Sequence, residues 1–168
     1  MRLHYRNFAC VAQPIERPLY MKRTVMPSMR NLDIDTLVPQ RRPMRLIDEI
    51  IAITGQTATT VATVAPTWPT VANGAAHVVV LIELVAQTAA AIGGYKAMMD
   101  PTDGHAKKGM LVAIKQATFA IDAIPLDTQI TTWAETRVLL ENFKEITGVV
   151  KIGDRIIAEM TLQGVHSE

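Results

Sequence analysis

"AAHVVVLIELVAQTAAAIGGYKAMM", residues 75–99, is the stretch whose reading decides the fold. It holds no proline, its only glycines are the pair Gly93-Gly94, and it runs far past the length of a strand. One long helix is predicted, about 36 Å from end to end at roughly 1.5 Å per residue. Val78, Val80, Leu81, Ile82, Leu84, Val85 and Ile92 point in nearly every direction around its axis. A helix apolar all round is normally covered on all sides by protein. A membrane span is the rival reading. It is disfavoured because Glu83 and Gln87 would sit near the middle of the span at a cost of a few kcal/mol, and no second span lies beside it.

Strand patterns flank this helix. Residues 31–53 read as a short helical turn, a Pro-marked loop and a first strand around Met44 to Ile53. "QTATTVATVA" (56–65) follows Gly55, is rich in β-branched residues and reads as a second strand paired to the first. A loop with Pro66 and Pro69 leads into the helix. Beyond "DPTDGHAKKG" (100–109) come four strand-like segments: "MLVAIKQATFAI" (110–121), "QITTWAETRVLL" (129–140), "NFKEITGVVKI" (142–152) and "RIIAEMTLQGV" (155–165). Gly153-Asp154 is a two-residue hairpin signal. The expected class is α+β, a curved, mostly antiparallel sheet wrapped around one long buried helix, since only strong curvature lets a sheet cover a fully apolar helix.

A chain of 168 residues with 49% apolar content suits one domain with a sizeable core. Seventeen basic residues against sixteen acidic ones make no case for nucleic acid. The first 30 residues carry six Lys/Arg and only Glu16 as an acid, show no sustained period, and contain "FACVAQPI", too short for a secretory core. They read as a disordered tail or as an over-extended start ahead of Met21, Met26 or Met29, which leaves 31–168 as the domain. Cys10, the single cysteine, offers neither a disulfide nor a metal spacing, and a reducing cytoplasm is the simplest compartment.

Glu83 and Gln87 lie four apart on one helix face, with Val79, Ala90 and Gly94 on the same stripe. A buried carboxyl there could act as a general acid near neutral pH. Equally, it could be a satisfied acid bonded to Gln87, a loop amide or a partner chain. His77 is the obvious partner, but six residues of helix would put it about 240° around the axis and about 9 Å along it from Glu83. The two could meet only if His77 sits in a non-helical cap or if another chain completes the site. Arg41, Arg42 and Arg45 form one basic cluster, and Lys107 and Lys108 a second. Phosphate loops, nucleophile elbows and metal-ligand clusters are missing from the sequence, so no cofactor or metal is expected.

Four motifs in order carry a resemblance. "LVPQRRPMRLIDEI" (37–50) resembles the pattern LPHRxPxLLIDxV, with Gln40 where histidine is common. "VVVLIELVAQTAA" (78–90) resembles GVLIxEAMAQ, "GMLVAIKQATFAIDAIPLDT" (109–128) is similar to xxxIxxARFxxPVxPGD, and "GDRIIAEMTL" (153–162) matches DGxxxAEAxL. These patterns belong to the hot-dog fold 3-hydroxyacyl-(acyl carrier protein) dehydratases, and the resemblance covers about three quarters of the chain. It implies a hot-dog fold and a site shared between the two subunits of a dimer. A histidine there removes the α-proton, the helix carboxyl protonates the departing hydroxyl, and a backbone N–H at the helix start polarises the thioester carbonyl.

On that resemblance Glu83 is the acid, and Gln87, Val78 and Val79 contact substrate. Arg41, Arg42 and Arg45 would dock an acidic carrier protein bearing a phosphopantetheine-linked substrate. The departures concern the base. The motif GHFPxxP places its histidine fourteen positions before the acid, where this chain has Pro69, and Val78 replaces the glycine that leads the helix. The aryl-polyene-type dehydratase branch, with a similar ELMAQT helix and no standard histidine motif, is the nearer likeness. His77 is the candidate base. A homodimer and a heterodimer with a related hot-dog subunit are both open. So are two other functions, an acyl thioesterase using Glu83 to activate water and a non-catalytic subunit that binds acyl chains.

Overall fold

The computed structural model describes residues 32–100, 109–140 and 143–166. The expected tail (1–30) and the second basic cluster, Lys107 and Lys108, lie outside the described residues. Helix α1 (Ile34–Leu37) opens the domain, capped by Asp33, whose carboxylate accepts from the Asp35 N–H, and it buries Ile34 and Leu37. Strands β1 (Glu49–Ile53) and β2 (Thr57–Thr63) form an antiparallel pair. The Thr54 hydroxyl closes their turn by accepting from the N–H groups of Gln56 and Thr57.

Next comes a small hairpin, β3 (Val71–Ala72) and β4 (Ala75–His77), turned at Asn73 and Gly74. Both turn residues have positive φ, 52° and 79°. That is the requirement of a type I′ turn, which Asn-Gly meets at low cost. The long helix α2 therefore spans Val80–Met99 and does not reach back to Ala75 as expected. Residues 75–77 pair with β6 (Ala123–Pro125) in a three-stranded sheet. The hairpin commits them to extended backbone before any helical turn can form.

The four strand-like segments become β5 (Gly109–Phe119), β7 (Gln129–Leu140), β8 (Phe143–Ile152) and β9 (Arg155–His166). Gly153, with φ +56°, heads the two-residue β8–β9 turn. The main sheet runs β1-β2-β7-β8-β9-β5, every neighbouring pair antiparallel. Leu81, Leu84, Val85 and Ile92 of α2 are fully covered, packed over small inward residues such as Ala58, Ala62 and Ala134. Gly148 on β8 makes room for the helix, because a side chain there would overlap Val85. Among the described residues, no helix is long and apolar enough to cross a membrane.

Among the described residues, two of the uncovered apolar regions bear on the helix and its sheet edge. Val79 at the N-cap and Ile82, Glu83, Ala86 and Ala90 on α2 share one side and are only partly buried or exposed, so the described residues do not wrap the apolar helix all round. On the sheet, β5 is an edge strand that among the described residues pairs only with β9, and it leaves Met110, Leu111, Val112 and Ile114 exposed.

Candidate functional site

Glu83 stands one turn into α2, at the border between its buried arc and its open side. One turn on, Gln87 is completely buried and has no freedom of orientation. Its side-chain carbonyl accepts from the Leu46 N–H (2.9 Å), while its amide nitrogen donates to the Met44 carbonyl (2.7 Å) and to Glu83 Oε1 (2.8 Å). A second amide reaches the same oxygen, as Gln40 Nε2 donates to Glu83 Oε1 at 3.3 Å. Both donors thus converge on Oε1.

Gln40 arrives on a strap, residues 32–46, laid along the helix. At one end Gly94 admits the strap, since a Cβ there would overlap the Leu37 backbone. At the other, Gln87 grips Met44 and Leu46. Arg41 binds the middle. Its guanidinium donates to the carbonyls of Asp35, Val38, Pro39 and Gln40, at 2.9 to 3.1 Å.

The three arginines do not form the single free basic cluster that the sequence suggests. Arg41 is committed to its own loop. Arg45, with a side chain only 16% exposed, pairs with Asp35 at 2.7 Å. Arg42 pairs with Asp48 at 2.6 Å, and Asp48 in turn accepts from the Thr63 N–H, yet half of the Arg42 side chain remains in solvent. Local acids pair the charges of Arg42 and Arg45, and carbonyls take up the hydrogen bonds of Arg41, a feature that residue spacing does not display.

His77 lies outside α2, at the end of β4, and is exposed. Its N–H donates to the Thr70 carbonyl at 3.2 Å, which sets it beside the loop that carries Pro69. Its ring Nδ1 accepts from the Val79 N–H at 3.2 Å. A neutral ring in that arrangement carries its proton on Nε2. Val78 is buried and Val79 exposed at the helix entrance.

Of the residues expected at the site, Glu83 and Gln87 are joined directly, and His77 and Val79 are joined to each other. Gln40 is the member that sequence reasoning missed. Its only signal was its departure from the histidine common at that place. An open hollow of about 530 Å³ lined by Tyr95, Lys96 and Thr54 lies at the far end of α2, and Glu83 does not border it. Among the described residues, no group of three or more His, Cys, Asp or Glu could hold a metal.

A curved antiparallel sheet packed against one long helix is the hot-dog fold. More narrowly, the chain belongs to the ApeP-like dehydratase family, described as ApeP dehydratase, whose pattern matches residues 32–167. Among solved structures, the chain is similar to the dehydratase heterocomplex ApeI:P from Xenorhabdus doucetiae, at 17% identity and TM-score 0.73, covering 82% of this chain and 92% of that one. It is also similar to Cj0977, a sigma28-regulated virulence protein from Campylobacter jejuni (14% identity, TM-score 0.61, 80% and 95% covered). A third is a hypothetical thioesterase with coenzyme A from Streptococcus pneumoniae (14% identity, TM-score 0.55, 71% and 84% covered). At such identities the likeness speaks for the fold. No curated protein sequence matches the chain.

Proposed function

We propose that the chain dehydrates a 3-hydroxyacyl thioester carried on the phosphopantetheine arm of an acyl carrier protein, with Glu83 as general acid at a seam between two hot-dog subunits. The observation that carries this reading is the amide pair on Glu83 Oε1. It leaves Oε2 as the oxygen to address a substrate, on a helix face that the described residues do not cover. In the reaction a base takes the proton from C2, the C3–O bond breaks, and the departing oxygen receives the Glu83 proton. The products are an enoyl thioester and water.

His77 serves as base if substrate changes its partner. While Nδ1 accepts from Val79, its lone pair is occupied. A thioester carbonyl that takes over the Val79 N–H releases that lone pair beside the carbon to be deprotonated. A second reading is favoured by Pro69 at the usual histidine position, namely that the base belongs to a related subunit and this chain supplies the acid half of a heterodimer. The exposed edge of β5 supports either assembly, because a long apolar edge strand is a template for pairing. Arg42, with half of its side chain in solvent, is the arginine whose guanidinium is not bound into the strap, and it is available to meet an acidic carrier; a cytoplasmic setting suits that partner.

Assay of the pure protein with 3-hydroxyacyl and saturated acyl thioesters tests the reading. Reversible enoyl formation, reduced by roughly 10²-fold or more in Glu83→Gln, is expected. Free thiol release from saturated thioesters would mark a thioesterase instead, and enoyl formation untouched by Glu83→Gln would remove the acid. His77→Ala decides between the two bases, being inactive in the first and active with its partner subunit in the second.

A further inference from the structure

The two amides on Glu83 are not equivalent. Gln87 is fixed by the chain itself, with every polar atom of its side chain matched to a backbone or carboxyl group. Gln40 is different. Its Nε2 faces Glu83, while its Oε1 is buried and has no hydrogen-bond partner among the described residues. An unmatched buried acceptor costs on the order of 1–3 kcal/mol. A glutamine present only for packing would be better served by an orientation that satisfied both ends. The acceptor character of Glu83 Oε1, imposed by Gln87, is what turns the Gln40 amide nitrogen inward.

Gln40 is also held at its backbone. Arg41 Nη1 donates to the Gln40 carbonyl at 2.9 Å and to the carbonyls of the two residues before it, so the loop is braced where its side chain reaches the helix. Two donors from different elements on one oxygen resist rotation of the carboxyl about its last bond, which one donor from the same helix does not. With Oε1 held as an acceptor, the transferable proton belongs on Oε2.

From this geometry we infer that Gln40 is a positioning residue for the proposed proton transfer: it orients the Glu83 carboxyl so that Oε2 delivers the proton to the departing hydroxyl. The inference rests on the reading of Glu83 as general acid. It predicts an effect confined to steps that need that proton.

The test compares two substrates on the full-length protein with any subunit it requires. A 3-hydroxyacyl thioester needs a proton on its leaving oxygen. A 3-chloroacyl thioester does not, since the base takes the C2 proton, C3–Cl breaks, the double bond forms and chloride departs unprotonated. Gln40→Met should lower kcat on the hydroxy substrate about tenfold with KM changed less than about twofold, and leave chloride elimination within about twofold. Gln40→His, which keeps an N–H donor, should recover most of the loss. Equal losses on both substrates, or no loss on either, would overturn the inference. Glu83→Gln in parallel separates the two failures: if it retains hydroxyacyl turnover, the acid reading falls, whereas if it is inactive while Gln40→Met is unaffected, only the role of Gln40 falls. A crystal structure of Gln40→Met applies whether or not the preparation turns over. The Glu83 carboxyl should spread over more than one rotamer, and a single unmoved carboxyl contradicts the inference.

Discussion

The two sides of α2 are built on opposite terms. Against the strap, residues 32–46, contact is closed within the chain: Gly94 leaves no room beside Leu37, Gln87 satisfies Leu46, Met44 and Glu83, and Arg41 gathers four carbonyls. Toward the open side of the helix and the edge of β5, apolar surface is left without cover, with Met110 61% and Ile114 50% exposed. The difference separates two jobs. The closed side holds one carboxyl between two amides, and the open side leaves the surface on which the proposed second subunit would complete the site.

That division can be attacked from either side. The largest expected effect is on assembly. A charge at the middle of the β5 edge, Ile114→Asp, should weaken subunit association more than about a hundredfold, because a carboxylate buried at an apolar interface costs several kcal/mol. Sedimentation velocity, with the chain alone and mixed with its hot-dog partner, reads this out, and thermal unfolding of the single chain should change little. If the fold collapses as well, the two sides are not independent. On the closed side, Gly94→Leu forces a side chain into the Leu37 backbone and should cost about 3 kcal/mol of stability, seen as a lower midpoint in denaturant. Unchanged stability would mean the strap is loosely held. The smallest effect is expected at Arg42→Glu. Its ion pair with Asp48 is half exposed, so the fold should lose under about 1 kcal/mol, while carrier-protein affinity falls, more so at low salt. Affinity that does not respond would leave Arg42 with its structural ion pair alone.

Much of this architecture could be read without coordinates. The β-branched segments from 110 to 165 became strands nearly residue for residue, and Gly153-Asp154 became their last turn. The long helix was found but begun too early. Asn73-Gly74 is a strong hairpin signal, and read as such it would have moved His77 out of the helix and onto β4. The site was legible only in part. Glu83 and Gln87 are four apart on one helix, so local geometry brings them together. Gln40 is 43 residues from Glu83 and meets it only because the strap is pinned at Gly94 and Gln87. Nothing in the spacing of Arg41, Arg42 and Arg45 reveals that Asp35, Asp48 and four carbonyls absorb most of their hydrogen bonding.

Residue order alone settled which segments are strands and which is the central helix, and it put a carboxyl and an amide on one face of that helix. These are consequences of short-range periodicity, of which side chains share a face at a spacing of 2 or 3.6. Tertiary structure decided which oxygen of Glu83 is held, which arginine is enclosed, where His77 points its ring, and which face of the helix the described residues leave open. Those depend on contacts between segments far apart in the chain, and no local pattern encodes the distance at which they meet.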